Sequence, residues 1–284
     1  MPLRQLDHAD FLVHQISGDE NAPVVIYLPG VHGDWTPLHK ARPLLGEALR
    51  VVEVAYPRMP DWTIEDFADA LEALLDRLHL GAVHLVGESF GSLVAWEFGL
   101  TRPERVKSLL LIGGFTQPPG LGKVILARRG LSLIPSVLFE RGIDTYVGLK
   151  KFLGELRPAP RGYKEPYPAL RTESGRQAVL NRLDLIAETD VRHRLHEVDF
   201  PVHYVGGGED RIVPVHREIK TLRRILDREN GFASHVIPGA PHMVITSHPE
   251  DTVEQIVDWV QSNEAREIER AREYQEELNR HKVD

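Results

Sequence analysis

Val83-His84-Leu85-Val86-Gly87-Glu88-Ser89-Phe90-Gly91-Ser92-Leu93-Val94-Ala95-Trp96-Glu97-Phe98 is the stretch on which the fold turns. Val83 to Val86 is a short β-rich run, and Ser92 to Phe98 carries the composition of a helix directly after Gly91. A strand that feeds a helix through so few residues needs a tight turn. The serine in its middle must take a strained backbone, and neighbouring side chains would collide there. Glycine two positions before and after Ser89 removes that obstacle. The turn pushes the Ser89 hydroxyl outward at the carboxyl edge of the sheet, where open α/β folds bind ligands. The G-x-S-x-G spacing alone is cheap, and an ordinary Gly/Ser turn would satisfy it; strand before and helix after give it weight.

The same alternation recurs on both sides of this stretch. Strands are expected at Val24 to Leu28, Val51 to Ala55, Val83 to Val86, Ser108 to Ile112, Val202 to Val205 and His235 to Ile237. Several are near-continuous apolar runs, as strands covered on both faces require. Leu6 to Ile16 reads as a shorter edge hairpin. Between strands, apolar residues at 64, 67, 68, 71, 74, 75 and 78 follow the period of a half-buried helix. Val253, Ile256, Val257 and Val260 make a similar stripe for a last core helix. The expected fold class is α/β, a mostly parallel central sheet flanked by helices.

The rhythm breaks from Phe115 to Asp199, where helical patches surround a Pro-rich run from Arg157 to Pro168 and helix resumes over Ser174 to Glu188. An insertion of that size between core strands predicts a helical cap over the carboxyl edge. The domain plan is therefore a core of residues 1–114 and 200–260, a cap of 115–199, and a charged C-terminal helical extension of 261–284. In that extension only Ile268, Tyr274 and Leu278 are sizeable apolar residues at helical spacing, so a solvated or loosely docked helix is the plain reading and a homodimer contact the sharper one.

Composition narrows the function classes. The 284 residues are 42% hydrophobic and carry a formal net charge of -8, which lacks the basic footprint of a nucleic-acid binder. No cysteine is present, so disulfides, thiolate catalysis and cysteine-ligated metal are excluded. The N-terminal residues have no apolar h-region and no stretch is long enough to span a membrane; the expectation is a soluble, cytoplasmic protein that meets neither membrane nor nucleic acid and acts on a small molecule. No dinucleotide or phosphate-loop fingerprint follows Gly113-Gly114 or Gly206-Gly207-Gly208, and His193, His196 and His203 lack the carboxylates and spacing of a metal site. No cofactor and no metal are expected.

A serine hydroxyl needs a base, and the base an acid to orient it. Of 14 histidines, His242 follows the strand ending at Ile237 across Pro238-Gly239-Ala240-Pro241, which brings its imidazole to the same edge as Ser89. His248 falls ahead of Pro249, near the last helix, and His235 lies within the strand. For the acid, Val202 to Val205 runs into Gly206-Gly207-Gly208-Glu209-Asp210; Asp210 is the candidate, with Glu209 the adjacent competitor.

Nucleophile, acid and histidine thus come in the order Ser, Asp, His on successive strand ends, and over residues 20 to 260 the chain resembles the α/β-hydrolase superfamily in its serine-nucleophile, esterase-like branch. The resemblance implies the α/β-hydrolase fold and an oxyanion held by two backbone N–H groups, one from Phe90. The other comes from the loop Leu28-Pro29-Gly30-Val31-His32-Gly33-Asp34, similar to the family's His-Gly-X loop with Pro29 in place of the histidine. Val31 aligns as that donor, and a shifted alignment on His32-Gly33 would make it Asp34. Ser89 departs from the aspartate nucleophile of dehalogenases and epoxide hydrolases, and Glu88 and Phe90 depart from the Gly-Gly-Ser-Trp-Gly elbow of prolyl iminopeptidases.

The resemblance implies a carboxylesterase working through an acyl-enzyme on a small or medium acyl ester. Thioester, C–C bond and aminopeptidase chemistry would use the same triad, and a non-catalytic ligand-binding receptor is the rival of another class. His32, Glu88, Trp35 and Phe115 are the pocket candidates, with Trp96, Phe139 and Tyr146 as further aromatic residues available to it. Residues 115–199 hold 14 Lys and Arg against 10 Asp and Glu, a net of +4; such a lid would favour a carboxylate-bearing substrate, although a solvated helix surface accounts for the same count.

Overall fold

Seven strands hydrogen-bond into one sheet in the order β1-β3-β2-β4-β5-β6-β7. They are β1 (Val13–Ser17), β2 (Val24–Leu28), β3 (Arg50–Ala55), β4 (Val83–Glu88), β5 (Val106–Ile112), β6 (Val202–Gly207) and β7 (Phe232–Ile237). The computed structural model describes residues 12–134, 141–142, 172–226 and 232–280. Every expected strand is present, β2 with the expected bounds and the other five extended by one to three residues. β1 pairs antiparallel with β3, and the other neighbours run parallel. The N-terminal segment therefore contributes an edge strand that pairs with β3; the rest of the expected hairpin, residues 6–11, lies with 1–5 outside the described residues.

Alternate residues of each strand point to opposite faces, and two cores result. Ile26, Leu28, Val52, Val54 and Leu85 pack on one face with helices α2 (Ile64–Arg77), α3 (Gly91–Thr101) and α6 (Val215–Leu226). Val25, Tyr27, Val51, Val86 and Leu110 pack on the other with α1 (Ala41–Leu45), α7 (Val244–Ser247) and α8 (Pro249–Arg280). In α2 the expected apolar stripe is buried at Ile64, Phe67, Ala68, Leu71, Leu74 and Leu75, and a Thr63–Asp66 capping box satisfies its first N–H groups.

Between β5 and β6 the described residues form α4 (Leu121–Leu133) and α5 (Glu173–Glu188), which pack against one another. The Pro-rich run and the aromatic residues Phe139 and Tyr146 lie outside the described residues. Helix α8 crosses from residue 260 to 261 without a break, so the C-terminal extension continues the last core helix. Its contact with the sheet lasts through Asn263, Glu264 and Glu267, and beyond them Ile268 and Tyr274 are exposed. Among the described residues no helix is long and apolar enough to cross a membrane.

Strand order reverses at β2: the chain goes outward to β3 and returns to β4 on the opposite side. The loops after β2 and β4 are thereby adjacent at the carboxyl edge, the position where open α/β sheets form a crevice.

Candidate active site

Ser89 is one of two non-glycine residues with positive φ among the described residues, at 51°. That conformation costs on the order of 1–3 kcal/mol and persists only where surroundings over-determine it. Here the Ser89 N–H donates to the Ile112 carbonyl at 3.0 Å and the Ser89 carbonyl accepts from the Ser92 N–H at 2.9 Å. The two glycines leave room for the turn. A Cβ on Gly91 would stand 2.1 Å from the Leu28 carbonyl oxygen, and one on Gly87 would stand 2.8 Å from that of Gly91. Strand, turn and helix therefore fit together only with both glycines, and the serine hydroxyl is left at the rim.

His242 and Asp210 reach this hydroxyl from the ends of β7 and β6. His242 Nε2 lies 3.0 Å from Ser89 Oγ, and His242 Nδ1 lies 2.8 Å from Asp210 Oδ2. With an aspartate on Nδ1, that nitrogen carries the proton and Nε2 accepts from the serine. The other Asp210 oxygen accepts from the N–H groups of Ile212 at 2.8 Å and Val213 at 2.9 Å. Burial pushes the Asp210 carboxyl up, but the hydrogen bond and charge of His242, joined by those two N–H groups, outweigh it and hold the carboxyl below its usual range. Glu209 is exposed. The His242 ring lies over Gly113, where a Cβ would approach its Cε1 and Nδ1 to 3.3 Å.

A cavity of about 370 Å³ opens beside Ser89 and His242. Val31, His32 and Phe115 are on its wall, with Val124, Leu183 and Ile186 from α4 and α5 supplying apolar surface. Asp34 is not on that wall. Its carbonyl accepts from the His32 ring at 2.9 Å and its carboxylate accepts from the Thr36 N–H at 2.8 Å, so residue 34 turns away from Ser89. The Phe90 N–H belongs to the open first turn of α3, where N–H groups have no acceptor within the helix.

His32 does not compete as a base. Burial, then the Arg182 charge, lower its pKa to about 3, and its Nε2–H is committed to the Asp34 carbonyl.

Two pocket candidates stand elsewhere. Glu88 is buried within β4 and accepts a hydrogen bond from the Tyr27 hydroxyl; the residue before Ser89 keeps the strand alternation, which turns its side chain into the sheet layer. Burial raises its carboxyl, opposed by the Tyr27 hydrogen bond and the His242 charge. Trp35 packs beside the core that holds α1 and α8, because the turn after Gly33 carries the chain over that face. Trp96 is fully buried in the opposite core.

Sequence reasoning passed over Leu183, Ile186, Ile212 and Met243 on the cavity wall, and Arg182 behind it. The signal for Arg182 was present: it stands on the buried stripe of α5 with Ala178, Val179 and Ile186, a charge where the helical period calls for an apolar residue.

Residues 25–255 match the model described as the alpha/beta hydrolase family. A pimeloyl-[acyl-carrier protein] methyl ester esterase of Methylococcus capsulatus is 28% identical over 263 residues, which are 88% of this chain and 98% of that relative. A 2-hydroxy-6-oxononadienedioate/2-hydroxy-6-oxononatrienedioate hydrolase of Pseudomonas putida is 28% identical over 276 residues, 89% of this chain and 92% of that protein. The crystal structure of a hydrolase from Pseudomonas aeruginosa PA01 has a TM-score of 0.69 at 17% identity over 88% of this chain and 94% of its own, a likeness of fold.

Proposed function

Since the chain belongs to the alpha/beta hydrolase family, we propose that it is a cofactor-free serine hydrolase that cleaves a carboxylic ester of a small or medium-sized substrate. The observation that carries this reading is the unbroken line from a strained, rim-placed Ser89 Oγ through His242 to the buried Asp210 carboxylate, at 3.0 and 2.8 Å. Ser89 attacks the acyl carbon while its proton passes to His242 Nε2. Asp210 keeps the ring in the required tautomer and stabilises the imidazolium. The Phe90 and Val31 N–H groups hold the oxyanion; Val31 is preferred to Asp34 because it lies on the cavity wall and Asp34 does not. His242 then protonates the leaving alcohol, and water repeats the sequence on the acyl-enzyme.

The cap of residues 115–199 belongs to the same proposal, with α4 and α5 giving the apolar side of the cavity. A volume of about 370 Å³ suits an acyl group of modest length. The esterase name of the Methylococcus capsulatus relative points the same way, and the dienedioate hydrolase name of the Pseudomonas putida relative makes C–C bond hydrolysis the second reading.

A fluorophosphonate tests the reading. Wild type should be labelled at Ser89, while Ser89→Ala and His242→Ala should not. A folded wild type that takes no label, or a Ser89→Ala protein labelled equally, would refute it. Esters, thioesters, amides and vinylogous diketones offered side by side then choose the bond.

A further inference from the structure

Arg182 is a charged residue that the reaction above does not use, yet it is 1% exposed. It projects from α5 toward the loop after β2. Its Nε–H donates to the Val31 carbonyl at 2.9 Å, and its Cζ lies 5.9 Å from the centroid of the Tyr56 ring. The guanidinium covers Gly33, where a Cβ would stand 2.9 Å from Cζ and from both Nη atoms. Burying a cation is expensive unless its surroundings compensate. Burial lowers the guanidinium to about 10, with Tyr56 and Asp34 opposing that shift.

The loop it touches is loose by sequence. Gly30 and Gly33 bracket Val31 and His32, and Gly33 takes a φ of 85°. The Gly33 N–H closes the turn on the Gly30 carbonyl at 2.9 Å, and the Gly33 carbonyl accepts from the Tyr56 N–H at 2.8 Å. Neither bond holds the Val31 carbonyl. The Arg182 bond does, and fixing that carbonyl restricts rotation about Val31, which lines the cavity with Ser89. Arg182 itself is not on the cavity wall, although its helix neighbours Leu183 and Ile186 are.

We propose that Arg182 is a positioning residue that holds Val31 in register for the oxyanion, so that α5 both lines the substrate cavity and sets the oxyanion hole. This rests on the hydrolase reading above. The consequence is a coupling: whatever shifts α5 on the core shifts transition-state stabilisation as well as substrate fit.

The test begins with end-point fluorophosphonate titration of wild type, which by itself decides the hydrolase reading. Arg182→Met and Arg182→Lys are then assayed on a p-nitrophenyl ester, with rates divided by titrated serines. Removing an oxyanion donor outright costs about 10² to 10³ in kcat; misaligning one should cost about 10- to 100-fold, with KM within about threefold. A trifluoromethyl ketone, whose adduct carries the oxyanion, should weaken by the same factor. Arg182→Lys keeps a buried cation but loses the Nε–H, so it carries the test if Arg182→Met does not fold. A wild type that titrates normally, with variants that keep kcat per titrated serine and ketone affinity while losing only thermal stability, would overturn the proposal and leave the hydrolase reading standing.

Discussion

Two ends of the same sheet each carry a serine, a histidine and a carboxylate in hydrogen-bonded series. At the carboxyl edge the line is Ser89–His242–Asp210, at 3.0 and 2.8 Å. Toward the amino end it is Ser108–His84–Glu264: Ser108 Oγ is 2.7 Å from His84 Nδ1, and His84 Nε2 is 2.9 Å from Glu264 Oε1. The residue types and distances barely differ. What differs is placement. Ser108 sits inside β5 with ordinary strand geometry and no exposure, as does His84 in β4. A groove of about 660 Å³ runs past this second cluster, lined by Lys107, Asn263 and Arg266, yet neither Ser108 nor His84 is on its wall. No carbonyl can reach Ser108. The second series is a clasp that fastens the start of the C-terminal extension to the sheet, with Lys107 bridging Glu264 at 2.7 Å and Glu267 at 3.0 Å. A strained turn beside a cavity, more than the three side chains, is what distinguishes Ser89 from Ser108.

The comparison is broken most severely by exchanging alanine for each serine. Ser89→Ala should lower kcat by at least about 10⁴-fold with little change in thermal stability. Ser108→Ala should leave the rate per folded molecule unchanged, and should destabilise by about 1–3 kcal/mol because His84 Nδ1 loses its buried donor. A Ser108→Ala protein that folds yet loses turnover would show that the two ends are not separable. Gly91→Ala is the next largest effect. Its methyl would meet the Leu28 carbonyl oxygen at 2.1 Å, so denaturation should show a loss of about 3 kcal/mol or more, within the range of severe backbone strain. The control is Gly122→Ala in α4, where an added Cβ meets nothing within 4 Å; there the melting temperature should hold or rise, since alanine favours helix over glycine by about 0.8–1.0 kcal/mol.

What the sequence disclosed follows from the range of the interactions concerned. The strands were legible because each is a local apolar run, and the elbow because strand, glycines, serine and helix are contiguous. His242 and Asp210 were legible because each follows a strand that a parallel sheet must end at the same edge. Glu88 and Trp35 were misplaced because nearness in sequence to Ser89 and to the oxyanion loop does not fix which way a side chain faces; Glu88 follows the strand alternation into Tyr27. Arg182 was missed because its partner Val31 is 151 positions away, and nothing local states that contact. The clasp is of the same kind: Glu264 meets His84 across 180 positions, and from the sequence it belonged to a charged extension read as solvated or loosely docked, with no residue it docks on legible.

The smallest expected effect sharpens the comparison through pH. Burial lowers His203 to about 4, and burial likewise lowers His84, against the hydrogen bond and charge of Glu264. Both therefore fold as neutral rings. Between about pH 6.5 and 4 the unfolded chain binds protons that the folded clasp refuses. Its contribution to stability is then full above about pH 6.5 and is lost as pH falls toward the folded values. Glu264 has the same sign: burial raises its carboxyl, but Lys107 and His84 outweigh burial and hold it low, so acid weakens it too. His203 Nε2 accepts from Asn263 Nδ2 at 2.9 Å while its ring stacks on Trp259 at 4.8 Å, which makes His203→Gln the informative change. Melting temperature should fall by roughly a few degrees between pH 7 and pH 5 in wild type, and by less in His203→Gln. Equal slopes in the two proteins would mean that the acid sensitivity arises elsewhere than at His203. Fluorophosphonate titration at each pH keeps the measurement separate from the carboxyl edge, because a clasp that loosens while Ser89 still titrates fully is one whose work is to hold the helix rather than to assist the proposed reaction.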